Sequence, residues 1–458
     1  LTRIDCVSGR ARPSSTYGNR RPRRSAGEGH DDGHAPSSGV SAQGVPVPHR
    51  GSHEVTTSLY LFDDRQARTW APLSLTRPCG ELLHGCLTAR QRAELIFGTK
   101  CRGHISRTAL IGFDEPGAPP AIAPEDIASS GIRILISSRA VLSFQDFDLP
   151  TKSARICIDG DPVGWVVASG DPIPSELWLR NPEAEPSQTV DLDLRGSILN
   201  HPWDLLTANH DRITDDIREL FSKDHPTPGG HRVGAHHVSL GEEAIIEAGV
   251  HLDLRSGPIR IDSGVRVEGP ARLTGPLYVG QDSTILGGSL GTSSIGPMCR
   301  VRGEIADSVF LGYGNKAHEG YIGHALVGRW VNLGAFTTNS DLKNNYTSVQ
   351  IWTPEGHQDS GLIKVGCFIG DHVTTGIGTL LNTGTIIGAG SNVFGGPMAP
   401  SVVPPFSWGS GEDLEEHRLE KFIQTAERVM ARRGQKLTYG MEKVLRIAWE
   451  KTEKRRRK

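Results

Sequence analysis

The chain has 458 residues, long enough for two or three domains with their own cores. Its 50 Lys and Arg stand against 52 Asp and Glu, a balance that gives no electrostatic case for nucleic acid or an acidic membrane. No apolar run reaches the length of a membrane span, and seven cysteines without CxxC spacing read as reduced thiols of a cytoplasmic protein.

Residues 1–55 are rich in Gly, Ser, Pro and Arg and poor in aliphatics. Such a segment buries too little surface to offset its ordering entropy, so disorder is expected, or a misplaced start site, since Leu1 stands first. Residues 56–225 alternate strand-like runs ("LYLF", "TALIGF", "IRILISS", "RICIDG", "GWVVAS") with two stretches of helical spacing. These are "GELLHGCLTARQRAELIFG", with Leu82, Leu83, Cys86, Leu87 and Arg90 on one face, and "DLLTANHDRITDDIRELFSK". The alternation predicts a three-layer α/β domain. A Pro/Gly-rich linker is expected over 226–235.

Over 236–410 the period changes to six. Ile261, Val267, Leu273, Val279 and Ile285 keep one register, Ile259, Val265, Ala271 and Leu277 another, and Val327, Leu333, Leu381, Ile387 and Val393 resume it. A hexapeptide repeat predicts a parallel β-helix in which each hexad points one aliphatic inward. From 411 to 458 the spacing is helical, with Leu419, Phe422, Ile423, Ala426 and Met430 on one face and Met441, Val444, Leu445 and Ala448 on the next. The last basic residues read as a solvated tail.

Polar residues at β-helix corners point outward and are free for chemistry. His318, Tyr321, His324, Asn332, Asn339, Asp341, Asn345 and Tyr346 crowd between positions 318 and 346, beside a stretch that breaks the repeat. Such insertions on solenoids commonly carry function.

"KAHEGYIGHALVG" followed by "VNLGA" resembles the acetyltransferase half of the bifunctional N-acetylglucosamine-1-phosphate uridyltransferase/glucosamine-1-phosphate acetyltransferases. "LYLFDDRQARTWAPLSLTRPCGEL", "HPWDLL", "DLKNNY" and "FGGPMAPSVVPPFSWG" are similar to a divergent branch of sugar nucleotidyltransferases. The resemblance spans about residues 58–435. It implies an α/β nucleotidyltransferase domain before a left-handed parallel β-helix, a homotrimer, and acetyl-CoA and an amino-sugar phosphate as substrates.

By the same resemblance His318 is the catalytic base, taking a proton from the sugar amine as it attacks the thioester. Tyr321, Asn332, Asn345, Tyr346 and Lys316 are implied as substrate contacts, and Ala335, Ile377 and Gly395 as acetyl- and CoA-binding positions. The family's phosphate-holding Arg and Lys positions fall on Gly288 and Ala306, leaving Arg300 and Arg302 as neighbours able to substitute.

The first domain departs further. Its loop after the first strand has no Gly, and Cys79 stands where a Lys is usual. Arg68 and Arg77 are candidates for holding a nucleoside triphosphate, and Asp63 and Asp161 for Mg²⁺. Two other readings compete: a β-helix metalloenzyme with His318 and His324 as ligands, and a non-catalytic sugar-nucleotide-binding scaffold.

Overall fold

The computed structural model describes residues 56–185, 190–396 and 398–456. The segment expected to be disordered, 1–55, lies outside the described residues.

Alternating apolar runs in the first 170 described residues build one sheet. From edge to edge its strands are Val190–Asp193, Ala154–Ile158, Asp161–Val167, Ile132–Ser137, Thr57–Phe62, Cys101–Ile105 and Ala121–Ile122. The central Thr57–Phe62 runs parallel to both neighbours, as strands buried on two faces do. Leu59, Leu61, Ile134 and Ile136 pack against the helix Ala89–Phe97. Tyr60, Phe62, Leu135 and Trp165 face the other way, toward Leu179 of the short helix Glu176–Arg180. The three-layer expectation holds.

Two local expectations do not. The helical spacing from Gly80 gives a helix only over Ala89–Phe97, because Gly85 turns in the left-handed region and pairs Leu83–His84 with Leu87–Thr88 as a small hairpin. Thr88 then caps the helix, accepting from the Gln91 N–H while the Gln91 side chain returns the bond. Leu82, Leu83, Cys86 and Leu87 are all buried, without a helix to align them. Likewise "TALIGF" is a 3₁₀ turn, Thr108–Leu110, whose Leu110 and Phe113 pack under Met441 and Val444; the strand lies just before it, at Cys101–Ile105.

The hexad region forms a left-handed parallel β-helix with three faces. Its first strand, Gly230–Gly234, starts inside the stretch read as a linker. The first face rises from there to Tyr321–Gly323, and the second has nine strands, Val238–Leu240 through Val402–Val403. The third face runs from Ile245–Ile246 to Asn315–Lys316 and continues through Asn332, Thr374–Thr375 and Asn392–Val393. Ile261 pairs with Val279 and Val267 with Ile285, three hexads per coil. Every residue of both six-residue registers points into one core. Each fully buried aliphatic there contributes about 1.5–3 kcal/mol.

The second face also points outward into apolar surroundings. Tyr278, Val309, Leu311, Leu326, Phe368 and Ile386 share a core with Trp70, Leu73, Leu82 and Leu87 of the α/β layer and with Ile213 and Ile217 of the helix Asn209–Leu220. The α/β layer and the β-helix thus meet along a common core. Arg77, with no exposed surface, fixes the contact: its guanidinium donates to Glu115 at 2.8 and 2.9 Å and to Asp371 at 2.9 Å. Thr76 donates to Asp371, and Arg329 to Glu115, at 2.6 Å each.

Helices Leu419–Ala431 and Tyr439–Lys451 close the structure against Leu75 and Phe406. The basic end is not a free tail. Arg456 lies over the Trp449 ring and pairs with Glu416, and Arg455 lies over the Trp352 ring.

Candidate active site

The third face leads into the first through a vertex at residues 317–320, opposite the face that carries the α/β layer. Pairing of Asn315 with Asn332, Asn332 with Thr374, and Thr374 with Asn392 sets the stacking above that vertex. Counting three residues on from each, His318, Ala335, Ile377 and Gly395 stand one above another on a single edge. His318 is exposed at its base. The Phe336 N–H donates to the Glu319 carbonyl at 2.7 Å, and the Gly378 N–H to the Ala335 carbonyl at 2.8 Å, locking successive turns together. Gly303 and Gly320 let the turns stack, since a Cβ on Gly303 would lie 2.6 Å from the Gly320 oxygen.

Lys316 does not face solvent. Its side chain is buried, and Nζ donates to the carbonyls of His318, Glu319 (3.1 Å) and Arg302 (3.3 Å). Burial pushes its pKa down to about 8. Lys316 therefore positions the His318 turn from beneath and cannot be the substrate contact that was expected. Arg302, weighed as a phosphate ligand, donates to Glu319 at 2.7 Å and to the Leu286 carbonyl.

A second polar group sits one vertex further along the coil. The Tyr321 hydroxyl and His324 Nδ1 both meet the same oxygen of Asp341 at 2.7 Å. Burial, reinforced by Asp341, raises the Tyr321 pKa far above its usual value, so the hydroxyl stays a donor. The hydrogen bond from His324 holds the Asp341 carboxyl below its ordinary range. Asp341 opens the insertion that the broken repeat announced. The Val365 N–H donates to the Asp341 carbonyl at 2.9 Å and closes its neck. Between them, the hairpin Gln350–Thr353/Gly356–Asp359 folds back onto the second face instead of projecting as a loop, burying Val349 and Ile351.

Asn332 accepts from the Asn315 side chain at 2.7 Å on the third face, below the vertex. Asn345 holds Thr347 and, with Tyr346, stands exposed on the insertion; no described contact joins either to His318. His318 and His324 occupy different vertices, and among the described residues no group of three His, Cys, Asp or Glu could hold a metal.

In the first domain the crevice after the central strand is filled from within. Asp63, 3% exposed, accepts from the Cys79 N–H at 3.1 Å, from Ser138 at 2.7 Å and from Ser106. Asp64 accepts from the Ala67 N–H at 2.9 Å and from Arg139 at 2.8 Å. The loop's donors, which would otherwise serve a phosphate, are spent on the chain's own carboxylates. Asp63 is thereby unfit for Mg²⁺, and Asp161 lies apart at the start of the strand Asp161–Val167. Arg77 is unfit for nucleotide, being locked to Glu115 and Asp371. Arg68 is half-buried, its guanidinium donating to the Asp63 carbonyl at 2.8 Å.

Residues 59–225 match the family described as sugar nucleotidyl transferase. Over part of its length the chain is similar to bifunctional proteins of the GlmU type. A bifunctional sugar-1-phosphate nucleotidylyltransferase/acetyltransferase of Sulfurisphaera tokodaii is 32% identical over 95 residues, 21% of this chain and 24% of that protein. The bifunctional protein GlmU of Carboxydothermus hydrogenoformans is 29% identical over 178 residues, covering 34% of this chain and 36% of that protein. The GlmU of Acaryochloris marina is 30% identical over 179 residues, 35% of each. The matches thus take in about a quarter to a third of these relatives' length. Among solved structures, an Arabidopsis UDP-N-acetylglucosamine acyltransferase is 12% identical, with a TM-score of 0.24, over 44% of this chain and 77% of that one.

The His318 vertex was legible in the sequence motif. His324 and Asp341 were visible as part of the polar cluster, but only the return of the insertion to its own neck shows that they form a hydrogen-bonded pair.

Proposed function

We propose that this chain is a sugar-nucleotide biosynthesis enzyme that moves an acetyl group from acetyl-CoA to the amine of an amino-sugar phosphate along the His318 edge. The observation that carries the reading is the stack of His318, Ala335, Ile377 and Gly395 on one edge. His318 takes the amine proton as nitrogen bonds to the acetyl carbon, and the C–S bond breaks to release the thiol. Lys316 fixes the turn that presents the imidazole, and Tyr321, tied to Asp341, borders the first face beside it.

A second and third copy would complete this edge. Phe336 is 61% exposed, Ile377 77%, Leu380 42% and Met398 52%, an apolar flank on successive coils above His318. Exposed apolar patches of this kind mark interaction surfaces, and a homotrimer covers the flank. The six described cysteines, all free and buried, support a cytoplasmic setting. No described helix is long and apolar enough to cross a membrane. Asp63 and Asp64 fill the loop of the first domain, so the reading rests on acyl transfer and not on nucleotidyl transfer.

The test is a screen of amino-sugar phosphates with acetyl-CoA, following free CoA on the purified chain. Substrate-dependent CoA release is the expected result. Its absence across glucosamine, galactosamine and other amino-sugar 1-phosphates would overturn the reading in favour of a binding scaffold.

A further inference from the structure

Three buried side chains of the first domain carry polar atoms that the protein does not satisfy. Trp70 Nε1, Arg92 Nη1 and both ring nitrogens of His84 have no hydrogen-bond partner among the described residues. The three residues are only 1%, 2% and 5% exposed. A native chain rarely buries such groups bare, because a buried N–H without an acceptor forfeits its bond to water. All three side chains line one internal cavity, bordered by the helix Ala89–Phe97 and by Leu82 and Leu87 on either side of the Gly85 turn. Leu199 and Leu205 add to its apolar wall. It leaves about 10 Å³ for the centre of a bound atom, room for a single sphere of water or halide size and for nothing polyatomic.

Donors outnumber acceptors at this cavity. Arg92 Nη2 is spent on both oxygens of Asp216, at 2.7 and 2.8 Å, so its charge is met while the two N–H groups on Nη1 stay open. Trp70 adds one N–H. Burial first, then the charges of Arg92 and Arg212, pushes the His84 pKa down to about 3. At neutral pH the ring is therefore uncharged and offers one N–H and one lone pair. The other polar residues of the wall already donate elsewhere, Ser138 to Asp63 at 2.7 Å and the Cys79 thiol to the Ala67 carbonyl at 3.3 Å. Four N–H groups thus stand against one imidazole lone pair and the Ser138 oxygen. A water molecule accepts two hydrogen bonds and leaves the other two N–H groups bare, whereas a monatomic anion accepts from all four. Charge points the same way: Arg92 and Arg212 share the one fully buried carboxylate of Asp216, and the second partner of Arg212, Asp215, is exposed.

We propose that this cavity is a structural site for a single halide ion, held by Trp70 Nε1–H, the Nη1 groups of Arg92 and the N–H of His84. The ion joins the Trp70 loop to the helix Ala89–Phe97 from inside the domain. It lies apart from the His318 edge and takes no part in acyl transfer, so either proposal can fail without the other.

Crystals of the whole chain grown in sodium bromide test the site directly. An anomalous bromide peak is expected within hydrogen-bonding distance of Trp70 Nε1, Arg92 Nη1 and His84. In solution, the melting temperature of halide-free protein should rise with sodium bromide and saturate, relative to sodium methanesulfonate at equal ionic strength. Trp70→Phe removes one donor, and Arg92→Lys keeps a charge beside Asp216 while losing Nη1. Each should raise the half-saturating bromide concentration about tenfold, the worth of one hydrogen bond from a buried donor to an ion. Because each variant is compared with itself in the two salts, lower stability of a variant does not hide the result. A water molecule in the cavity without bromide would overturn the proposal. So would a melting temperature that responds equally to both salts, or an unchanged half-saturating concentration in both variants.

Discussion

His84 and His318 show how little a residue type says without its surroundings. His318 stands exposed on an edge. His84 is 5% exposed, neither ring nitrogen has a hydrogen-bond partner, and burial beside Arg92 and Arg212 pushes its pKa down to about 3. With the folded value below the ordinary 6.5, the unfolded chain binds the extra proton first. Stability from this group is therefore complete above pH 6.5 and is lost as pH falls from there toward 3. His84→Phe should flatten that part of the stability curve, measured by urea unfolding between pH 7 and pH 4; an unchanged slope would contradict the assignment. Nothing in the sequence separates the two histidines. Lys316 is similar: its place beside His318 suggested a substrate contact, whereas three backbone carbonyls claim its ammonium. Asp63 looked like a metal ligand until the Cys79 N–H, Ser106 and Ser138 were seen to occupy its oxygens.

Among the elements, those with a strict period were readable and those set by distant partners were not. Six-residue spacing fixes which side chain of a β-helix points inward, so Ile261, Val267 and Leu273 could be placed in the core before any contact was known. Leu82 to Leu87 have helical spacing but fold as a hairpin, because Gly85 and the Thr88 cap override the pattern. The insertion after Asn339 was recognisable as a break in register. That its hairpin packs back on the second face depends on Val349 and Ile351 meeting residues far away in sequence. The same holds for Arg77, whose partners Glu115 and Asp371 lie 38 and 294 positions away. Arg77→Ala leaves both carboxylates buried without that guanidinium, and about 3–5 kcal/mol of stability should be lost. Urea unfolding measures it, and a loss below 1 kcal/mol would mean that Arg329 and Thr76 suffice.

At the scale of the whole molecule, the second face of the β-helix is the joining surface. Residues 236–410 expressed alone would expose Tyr278, Val309, Leu311, Phe368 and Ile386 to water, and should aggregate or bind a hydrophobic dye strongly. A monodisperse, dye-silent fragment would show that the shared core is dispensable. The first and third faces remain for contacts between copies, and light scattering of the full chain should report a trimer. A stable monomer at micromolar concentration would leave the apolar flank of Phe336 and Ile377 unexplained.

The central claim is acyl transfer at the His318 edge, and the most direct test compares His318→Ala with His324→Ala in a CoA-release assay. His318→Ala should lower kcat by roughly 10²–10⁴-fold with little change in KM, because a positioned base acts on proton transfer more than on binding. His324→Ala, one vertex away, should keep most of the activity, and both variants should keep the oligomeric state of the parent. Wild-type turnover in His318→Ala, or an equal loss in both variants, would contradict the account.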